Sequence, residues 1–289
     1  MTTPAHAVAR FADLHVAVVG DAMLDAYVRG PARRLCPEAA APIVELKQRT
    51  EAAGGAANTA MNLRALGAQV SLLSTVGQDA SGSRLLELLR RAGVDVQEVC
   101  MLPGRRTLCK QRVFADSQLV VRLDEGDTHP LPPACERTLA DRLERLHGRC
   151  QAILLSDYGY GTLSATMVDR LALRQRRAPR VLAADSKDLA RLATAAPTVV
   201  KPNYLQAIEL LGAPRLTGPD RLAQMERLGP GLLELAGCQM AAVTLDQDGA
   251  ILFERGQRPY RTQTVANPNT QAAGAGDTYI AALTLALAA

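Results

Sequence analysis

The second half of the chain alternates short apolar runs with helix-length amphipathic segments, and this alternation constrains the fold more than any other feature. From about residue 133 onward the sequence predicts helix 133–147, strand 152–155, helix 164–176, strand 181–184, strand 198–200, helix 204–211, helix 219–236 and strand 241–245. Strands separated by helices of this length form parallel βαβ units. The predicted fold class is therefore α/β, with a doubly wound and mostly parallel sheet.

The first half contains β-rich segments that do not fit such a sheet. A buried strand at 15–20, a helix at 54–67, a strand at 70–74 and a helix at 81–92 continue the α/β pattern. By contrast, residues 26–48 include an alternating strand pattern at 41–47, and residues 107–124 read as a hairpin of strands 108–114 and 118–123. We expect a single domain over 11–289, in which these two segments form a small β-sheet lid across one end of the larger sheet.

Composition excludes several classes of protein. A chain of 289 residues that is 48% hydrophobic can bury a core, which argues against disorder. No stretch of 18 residues lacks polar interruptions, so no membrane span is expected. A net charge of +4, 3% aromatic residues and no Trp argue against a base-stacking nucleic-acid surface. The six cysteines form no C-x-x-C pair and residues 1–10 carry no apolar signal region, so we expect reduced thiols in a cytoplasmic protein.

Lysine is rare in this chain. It occurs only at Lys47, Lys110, Lys187 and Lys201, and arginine supplies the rest of the 33 basic residues. Codon bias explains such a composition, but a retained lysine also marks a place where a compact ammonium group is required.

The sharpest local motif is Gly274-Ala275-Gly276-Asp277-Thr278, which precedes an Ala- and Leu-rich helix predicted over 274–289. Small residues let a ligand approach the backbone, and the exposed N–H groups of a first helical turn bind anions. An aspartate would repel a neighbouring phosphate, and its presence is explained if it accepts the proton of an attacking hydroxyl group. The alternative is that Asp277 only complements the helix dipole.

Two further clusters point to the same edge of the sheet. Asp21 and Asp25 follow the first strand, at the edge where open α/β sheets bind ligands, and paired carboxylates accept hydrogen bonds from sugar hydroxyls. Gly54, Gly55 and Asn58 place a flexible backbone and an amide at a helix N-terminus. The alternatives are solvated turn aspartates and an Asn58 that only caps a turn.

Together these segments resemble the ribokinase-like carbohydrate kinases of the PfkB family, and within it the heptose-7-phosphate kinases of ADP-heptose synthesis. The GAGD segment is the family signature, while PEA and GGAANxAMN point to the heptose kinase branch. The matching segments, in chain order, are GDAMLD (20–25), PEAAAPIVE (37–45), GGAANTAMNLRALGA (54–68), TLCKQRV (107–113), QLVVRLD (118–124), LSDYGYG (155–161), DSKDL (185–189), KPN (201–203) and GAGDT (274–278).

The resemblance implies roles for the residues of a sugar site. Asp277 would be the catalytic base acting on the anomeric hydroxyl, and the backbone of Gly274, Ala275 and Gly276 would form the anion hole for the transferring phosphoryl group. The residues expected to bind the sugar are Asp21, Asp25, Gly54, Gly55, Asn58 and Asp157. Lys110, Arg112 and Arg122, on the predicted hairpin, would meet a phosphate already present on the substrate, the alternative being a solvated strand face.

The resemblance also implies ATP and Mg²⁺ as cofactors. The expected nucleotide-binding residues are Asp185, Lys187, Asn203, Thr244, Asp246 and Gly249. The family's N-x-x-E magnesium motif would place a glutamate at 206, where this chain has Gln206, and Glu209 lies one helical turn on. This departure would lower metal affinity. A second departure is Gln-Ala-Ala at 271–273, where the family has D-x-T.

The function implied is ATP-dependent phosphorylation of D-glycero-D-manno-heptose 7-phosphate at its anomeric oxygen, in precursor synthesis for lipopolysaccharide core or a related glycan. The alternatives are a kinase of another sugar such as ribose or fructose, and a catalytically weak sugar-phosphate-binding protein. Expected partners are a small sugar phosphate, a second copy of the chain bound through an edge strand of the lid, and a nucleotidyltransferase on a separate chain. No nucleic acid or membrane partner is expected.

The C-terminal segment carries a further expectation. Residues 279–289 are apolar around the whole helix. We therefore expect residues 282–289 to show an exposed apolar stripe or to be covered by a neighbouring subunit, and the adenine side of the nucleotide site to be incomplete, with weak ATP binding.

Overall fold

Two β-sheets of different size organise the chain. The structure, a computed structural model, describes residues 3–264 and 273–289. In these ranges the strands are β1 (His15–Gly20), β2 (Ala22–Gly30), β3 (Arg34–Leu35), β4 (Pro42–Ile43), β5 (Gln48–Gly55), β6 (Gln69–Leu73), β7 (Thr75–Gly77), β8 (Cys100–Leu102), β9 (Cys109–Ala115), β10 (Gln118–Glu125), β11 (Ala152–Asp157), β12 (Val181–Ser186), β13 (Val199–Val200), β14 (Met240–Thr244), β15 (Ala250–Glu254) and β16 (Tyr260–Thr262).

Helices connect most of these strands. In the same ranges the α-helices are α1 (Pro4–Ala9), α2 (Ala56–Ala65), α3 (Ala80–Arg91), α4 (Pro133–Arg149), α5 (Ala165–Arg177), α6 (Tyr204–Leu210), α7 (Asp220–Leu228), α8 (Pro230–Leu235) and α9 (Ala275–Ala288), with short 3₁₀ turns at Phe11–Asp13, Ala190–Ala195 and Asp246–Asp248. None of the described helices is long and apolar enough to cross a membrane.

The larger sheet has the strand order β16-β15-β14-β13-β12-β11-β1-β6. Its strands are parallel from β6 to β14, and β15 and β16 extend one edge in antiparallel orientation. The predicted α/β class with a doubly wound, mostly parallel sheet is therefore confirmed. The antiparallel edge was not predicted.

Both faces of the larger sheet are buried. In β1, Val16 and Val18 belong to a core beneath α2, α3 and α9, whereas Ala17 and Val19 belong to a core beneath α4 and α5. Successive side chains of a strand point to opposite faces, so a strand covered on both sides is a continuous apolar run. This is why the run at 15–20 predicted a central strand.

The smaller sheet, called the lid sheet below, consists of β10, β9, β2 and β5 in that order. The predicted hairpin is confirmed as β9 and β10. The predicted strand at 41–47 is wrong, because only Pro42–Ile43 pairs, as β4. The following backbone makes isolated hydrogen bonds, from Glu45 N–H to Pro31 O just after β2 and from Lys47 N–H to Arg29 O in β2. Regular pairing begins at Gln48 instead.

Glycines lie at two boundaries between secondary-structure elements that differ from the predicted ones. Gly54 and Gly55 end strand β5 rather than opening the helix, and α2 begins after Gly55, whose φ is +57°. The predicted helix at 219–236 is two helices, because Pro230 has no N–H to continue the first one and begins the second. At Gly229 a Cβ would lie 2.0 Å from the Phe253 ring, so only glycine allows this contact.

Helix α9 packs against α2 and β12. Ile280, Ala281 and Leu285 are buried, Leu283 and Leu287 are partly buried, and in 282–289 only Ala286 is exposed. The expected exposed apolar stripe is therefore absent from these residues. The small side chains of α2, among them Ala56, Ala57 and Ala60, allow α9 to approach closely enough to cover its own apolar surface.

Candidate active site

The carboxylate of Asp277 lies buried in the first turn of α9, with 6% of the residue exposed. Asn58 Nδ2, from α2, donates a hydrogen bond to its Oδ2 at 2.7 Å, and the Tyr158 hydroxyl, which follows β11, donates to its Oδ1 at 3.2 Å. Burial raises the pKa of Asp277, although the two hydrogen bonds oppose the change. A buried carboxylate with a raised pKa, held by neutral donors, is suited to accept a proton.

Tyr158 was not among the residues predicted for the site. Burial, followed by the charge of Asp277, raises the pKa of its phenol, so the hydroxyl stays protonated and acts as a donor. Asn58 was predicted to hydrogen-bond a sugar or cap a turn. In the structure its amide donates a hydrogen bond to Asp277, the candidate catalytic base.

The N-terminus of α9 is built from small residues. Gly274 occupies the N-cap position with φ +86°, and no side chain of the described residues caps the helix there. A Cβ at Gly274 would lie 2.9 Å from Asn58 Nδ2, and a Cβ at Gly276 would lie 3.2 Å from Lys201 Nζ. Glycines at 274 and 276 thus leave room for the amide and the ammonium group beside this helix end. Ala275 lies between them, in the first turn.

Lys201 is the main residue of this region that the site prediction missed. It is 4% exposed, and its Nζ lies 2.9 Å from Asp185 Oδ2. Its ammonium group and the positive end of α9 therefore face the same space, which suits a phosphoryl group. Its position directly after a strand, in a chain with few lysines, is the sequence feature that could have identified it as a site residue. Asp185, predicted to face the nucleotide, is its partner.

Asp21 holds a loop of the site. Its two carboxylate oxygens accept hydrogen bonds from the backbone N–H groups of Tyr158, Tyr160 and Thr162, at 2.9 to 3.0 Å, and the residue is 1% exposed. These contacts fix loop 158–162, and the contact of Asp21 with sugar hydroxyls stays a prediction.

We expect Asp21→Asn to lower the free energy of unfolding by about 2–3 kcal/mol, since hydrogen bonds to a charged group contribute about 1.5–3 kcal/mol and one backbone N–H would lose its acceptor. Urea unfolding measures the loss, and hydrogen exchange should show faster exchange in 158–162. Asp169→Asn, at an exposed position on α5, is the matched control and should leave stability unchanged. Wild-type exchange in 158–162 of the Asp21 variant would contradict this role.

Asp157 is likewise occupied within the protein. Its Oδ2 accepts hydrogen bonds from Ser186 Oγ at 2.7 Å and from Arg191 Nη2 at 2.8 Å, and its Oδ1 accepts from Gly159 N–H at 3.0 Å. The residue is buried. Its ion pair with Arg191 joins β11 to the segment after β12, and its contact with sugar stays a prediction.

The lid sheet contributes Asp25, which pairs with Arg112 at 2.6 Å between Oδ1 and Nη1. A Cβ at Gly54 would lie 2.4 Å from Asp25 Oδ2, so this glycine makes room for the carboxylate. Gly55 likewise lies against the backbone of Asp21. These residues meet where the lid sheet faces loop 158–162.

The three basic residues of the hairpin have different partners. Arg112 and Arg122 face each other across β9 and β10, and Arg112 is paired with Asp25 and Arg122 with Asp124 at 2.8 Å. Lys110 lies over two aromatic rings, with its Nζ 5.6 Å from the centroid of Tyr158 and 5.3 Å from that of Tyr160. That all three contact one phosphate stays a prediction.

The residues predicted for the nucleotide surround the start of α6. Asn203 caps this helix, and its own N–H donates to Gln206 Oε1 at 2.8 Å in a capping box. Thr244 N–H donates to Pro202 O at 3.0 Å. Asp246 lines a cleft of about 210 Å³ together with Asn203, and Arg221, which was not predicted, pairs with Asp246 at 3.1 Å.

Gly249 closes the turn after Thr244. Its φ is +88°, and a Cβ there would lie 2.2 Å from Thr262 O, so β16 can approach only a glycine. This turn was predicted to bind nucleotide. The structure shows that it also fixes the antiparallel edge of the larger sheet.

A magnesium site was predicted at Gln206 and Glu209. The Gln206 oxygen is used by the capping box, and Glu209 is exposed at the rim of a cleft of about 280 Å³ that Lys187 and Ser186 also line. Within 3–264 and 273–289, no three His, Cys, Asp or Glu side chains come together to hold a metal. Mg²⁺ bound to a nucleotide takes one or two carboxylates besides phosphates and water. Glu209 at this rim is one candidate, and Asp185, whose Oδ2 pairs with Lys201, is another. Gln271 and Ala272 lie outside the described residues.

Comparison with known proteins identifies the family. The model of the pfkB family carbohydrate kinases matches residues 13–289. The chain belongs to the pfkB family of carbohydrate kinases. It is accordingly a phosphotransferase that acts on a sugar hydroxyl group, and the buried carboxylate beside a helix N-terminus agrees with that chemistry.

Two bacterial relatives of this kinase carry the name "Bifunctional protein HldE". That of Geobacter sulfurreducens is 36% identical over 277 residues, covering 95% of this chain and 55% of the relative. That of Desulfatibacillum aliphaticivorans is 33% identical over 282 residues, covering 98% of this chain and 57% of the relative. The kinase therefore spans little more than half the length of these relatives.

Solved structures share the fold. Escherichia coli phosphofructokinase-2 in complex with substrates and products has a TM-score of 0.75 at 18% identity, covering 95% of this chain and 86% of that one. Arabidopsis thaliana ribokinase complexed with ribose and ATP has a TM-score of 0.72 at 22% identity, with coverage of 95% and 86%. The ribokinase-like fold expected from the motifs is thereby confirmed.

Proposed function

We propose that this kinase transfers the terminal phosphoryl group of ATP to the anomeric hydroxyl of D-glycero-D-manno-heptose 7-phosphate. The observation that carries the proposal is the Asp277 carboxylate, buried beside the N-terminus of α9 and held by Asn58 and Tyr158. The family membership and the two HldE relatives support the sugar kinase reading, and the PEA and GGAANxAMN segments support a heptose phosphate as acceptor.

On the acceptor side, Asp277 takes the proton of the attacking hydroxyl. Its raised pKa makes the carboxylate a stronger base than an ordinary aspartate, and its two neutral donors fix the oxygens without adding charge. General-base catalysis of this kind is typically worth 10²–10⁴-fold in rate. The proton leaves the sugar oxygen as that oxygen bonds to phosphorus.

On the donor side, Lys201 and the first N–H groups of α9, those of Ala275 and Gly276, face the transferring phosphoryl group. Such preorganised donors stabilise negative charge that spreads over the phosphoryl oxygens in the transition state. Asp185 or Glu209 would hold Mg²⁺, which would supply further charge neutralisation when bound with ATP. We assign Asn203, Thr244, Asp246 and Gly249 to the rest of the nucleotide, and the cleft lined by Asn203 and Asp246 supports this assignment.

A second candidate is a kinase of an unphosphorylated sugar such as ribose or fructose. It is favoured by the pairing of Arg112 and Arg122 with carboxylates, which leaves fewer cations for a substrate phosphate. ADP release measured over heptose 7-phosphate, fructose phosphates and the free sugars separates the two. We expect the highest kcat/KM for heptose 7-phosphate, and a higher value for a free sugar would contradict the proposal.

We further propose a homodimer formed through the lid sheet. In its edge strand β10 the side chains of Leu119, Val121 and Leu123 are each between 42% and 48% exposed, and an exposed apolar edge strand is suited to pair with another chain.

The proposed product is a sugar bisphosphate. We propose that a nucleotidyltransferase consumes it and is the partner of this kinase in the pathway.

Val121→Lys is expected to convert the dimer to a monomer, because a charge on the edge strand opposes pairing. Light scattering after size exclusion gives the mass directly. Leu173→Lys, at an equally exposed apolar position on α5, is the control and should leave the mass unchanged. A monomeric wild-type protein, or a Val121 variant that remains dimeric, would contradict the lid interface.

A further inference from the structure

Two lysines from distant parts of the chain meet at one aromatic ring. Lys110, in β9 of the lid sheet, has its Nζ 5.3 Å from the centroid of the Tyr160 ring. Lys187, which follows β12 of the larger sheet, has its Nζ 5.1 Å from the same centroid. The lid sheet and the larger sheet thus each place one ammonium group against Tyr160.

These two lysines differ from the other two in their partners. Lys47 pairs with Glu45 and Lys201 pairs with Asp185, whereas no carboxylate of the described residues lies within ion-pair distance of Lys110 or Lys187. The face of an aromatic ring attracts cations, but it supplies no full negative charge. A doubly charged anion is the ligand that such a pair of ammonium groups lacks.

The Tyr160 ring that both lysines approach is held in place. Asp21 accepts the backbone N–H of Tyr160 at 3.0 Å, and Arg105, a buried residue, donates to Tyr160 O at 3.1 Å. The ring also stacks on Tyr158, with centroids 6.4 Å apart and an interplanar angle of 13°. Because the Tyr158 hydroxyl reaches Asp277, one tyrosine ring separates this position from the catalytic carboxylate.

We propose that Lys110 and Lys187 together bind the phosphomonoester that the acceptor sugar already carries. The position suits a phosphate remote from the reacting hydroxyl, and such a group has a charge of about −1.5 to −2 at pH 7. Lys187, first expected to contact the nucleotide, is thereby assigned to the acceptor, and one anion bridges the lid sheet and the larger sheet. The inference rests on the proposed function, since it needs a phosphorylated acceptor.

The test compares Lys→Met variants at 110, 187 and 47 by calorimetry. Each variant of the full chain is titrated with a sugar phosphate and with the same sugar lacking the phosphate, using the heptose pair and the fructose 6-phosphate and fructose pair. The readout is the ratio of the two affinities. We expect Lys187→Met and Lys110→Met each to reduce this ratio roughly 10- to 100-fold, the value of one charge-assisted contact. Lys187→Arg should restore part of the ratio.

Lys47→Met is the control, because Lys47 is exposed and lies outside the site. It should leave the ratio and the affinity for ATP unchanged. Since Lys187 also lines the cleft beside Gln206 and Glu209, ATP is titrated into each variant. A loss of ATP affinity in Lys187→Met with an unchanged phosphate ratio would overturn the assignment, as would an unchanged ratio alone.

The same data keep the two proposals apart. If heptose 7-phosphate is not the preferred acceptor but the fructose ratio still depends on Lys187, the proposed substrate is wrong and the two-lysine site stands. If heptose 7-phosphate is preferred and its ratio does not depend on Lys187, the proposed function stands and the two-lysine site is wrong.

Discussion

Asp277→Asn is expected to lower kcat by about 10²-fold or more while leaving the affinities for sugar and ATP close to those of the wild type. The amide has the shape of the carboxylate and keeps an acceptor for Asn58 or Tyr158, but it cannot take a proton from the acceptor hydroxyl. Steady-state kinetics give kcat, and calorimetry gives the two affinities. Turnover within a few-fold of the wild type would remove Asp277 from the role of base.

The raised pKa of Asp277 also predicts a pH dependence. The base must be ionised, so kcat should fall as the pH is lowered through this pKa, and the fall should begin at a higher pH than for an ordinary aspartate. The folded state holds this proton more tightly than the unfolded chain, so stability from this group is lost as pH rises through the folded pKa. At neutral pH the Asn variant should therefore unfold at a temperature no lower than the wild type.

Lys201→Met is expected to lower kcat by about 10²–10³-fold, the usual effect of removing one preorganised donor from a developing negative charge. The affinity for the acceptor sugar should not change, because the ammonium group lies beside Gly276 and not at the lid sheet. The variant also leaves Asp185 without its partner, which destabilises the fold.

The double variant Lys201→Met, Asp185→Asn is compared with Asp185→Asn alone, because Asp185 is itself a proposed magnesium ligand. Removing both charges should restore much of the thermal stability, whereas kcat should remain well below that of Asp185→Asn. If kcat recovered together with stability, Lys201 would be a structural residue only. If the single variant kept wild-type turnover, the phosphoryl site would not include Lys201.

Local patterns were sufficient to predict the larger sheet. Its central strands are apolar on both faces and are separated by amphipathic helices, so each unit is visible in a short window of sequence. In the antiparallel edge, β16 has only three residues, none of them buried, and gives no local signal. Strand β15 was missed although its apolar run is visible in the sequence, because it follows β14 without an intervening α-helix. The irregular backbone of 41–47 was missed because an alternating pattern indicates which side chains are exposed. It does not show which backbone N–H and C=O groups form hydrogen bonds.

The candidate site was only partly predictable for a related reason. Asp277 and Asn58 lie in recognisable motifs, whereas Tyr158 and Lys201 follow other strands of the larger sheet. Tyr158 and Asp277, for example, are 119 positions apart in the sequence. Asp21 and Asp157 occupy strand ends where ligand-binding carboxylates are common. The same position serves equally well to hold a loop, and only the conformation of 158–162 shows which N–H groups need an acceptor.

The junction between the two sheets has a mechanical consequence. Strand β1 ends at Gly20 and β2 begins at Ala22, so one residue, Asp21, is the pivot of a stiff nine-residue arm. At about 3.3 Å per residue the arm is about 30 Å long, and a tilt of about 10° would move its far end by about 5 Å but Asp25 by only about 2 Å. Lys110 lies beside Asp25 in the register. A tilt of the lid sheet about Asp21 would thus displace its outer end considerably further than Asp25 and the neighbouring Lys110.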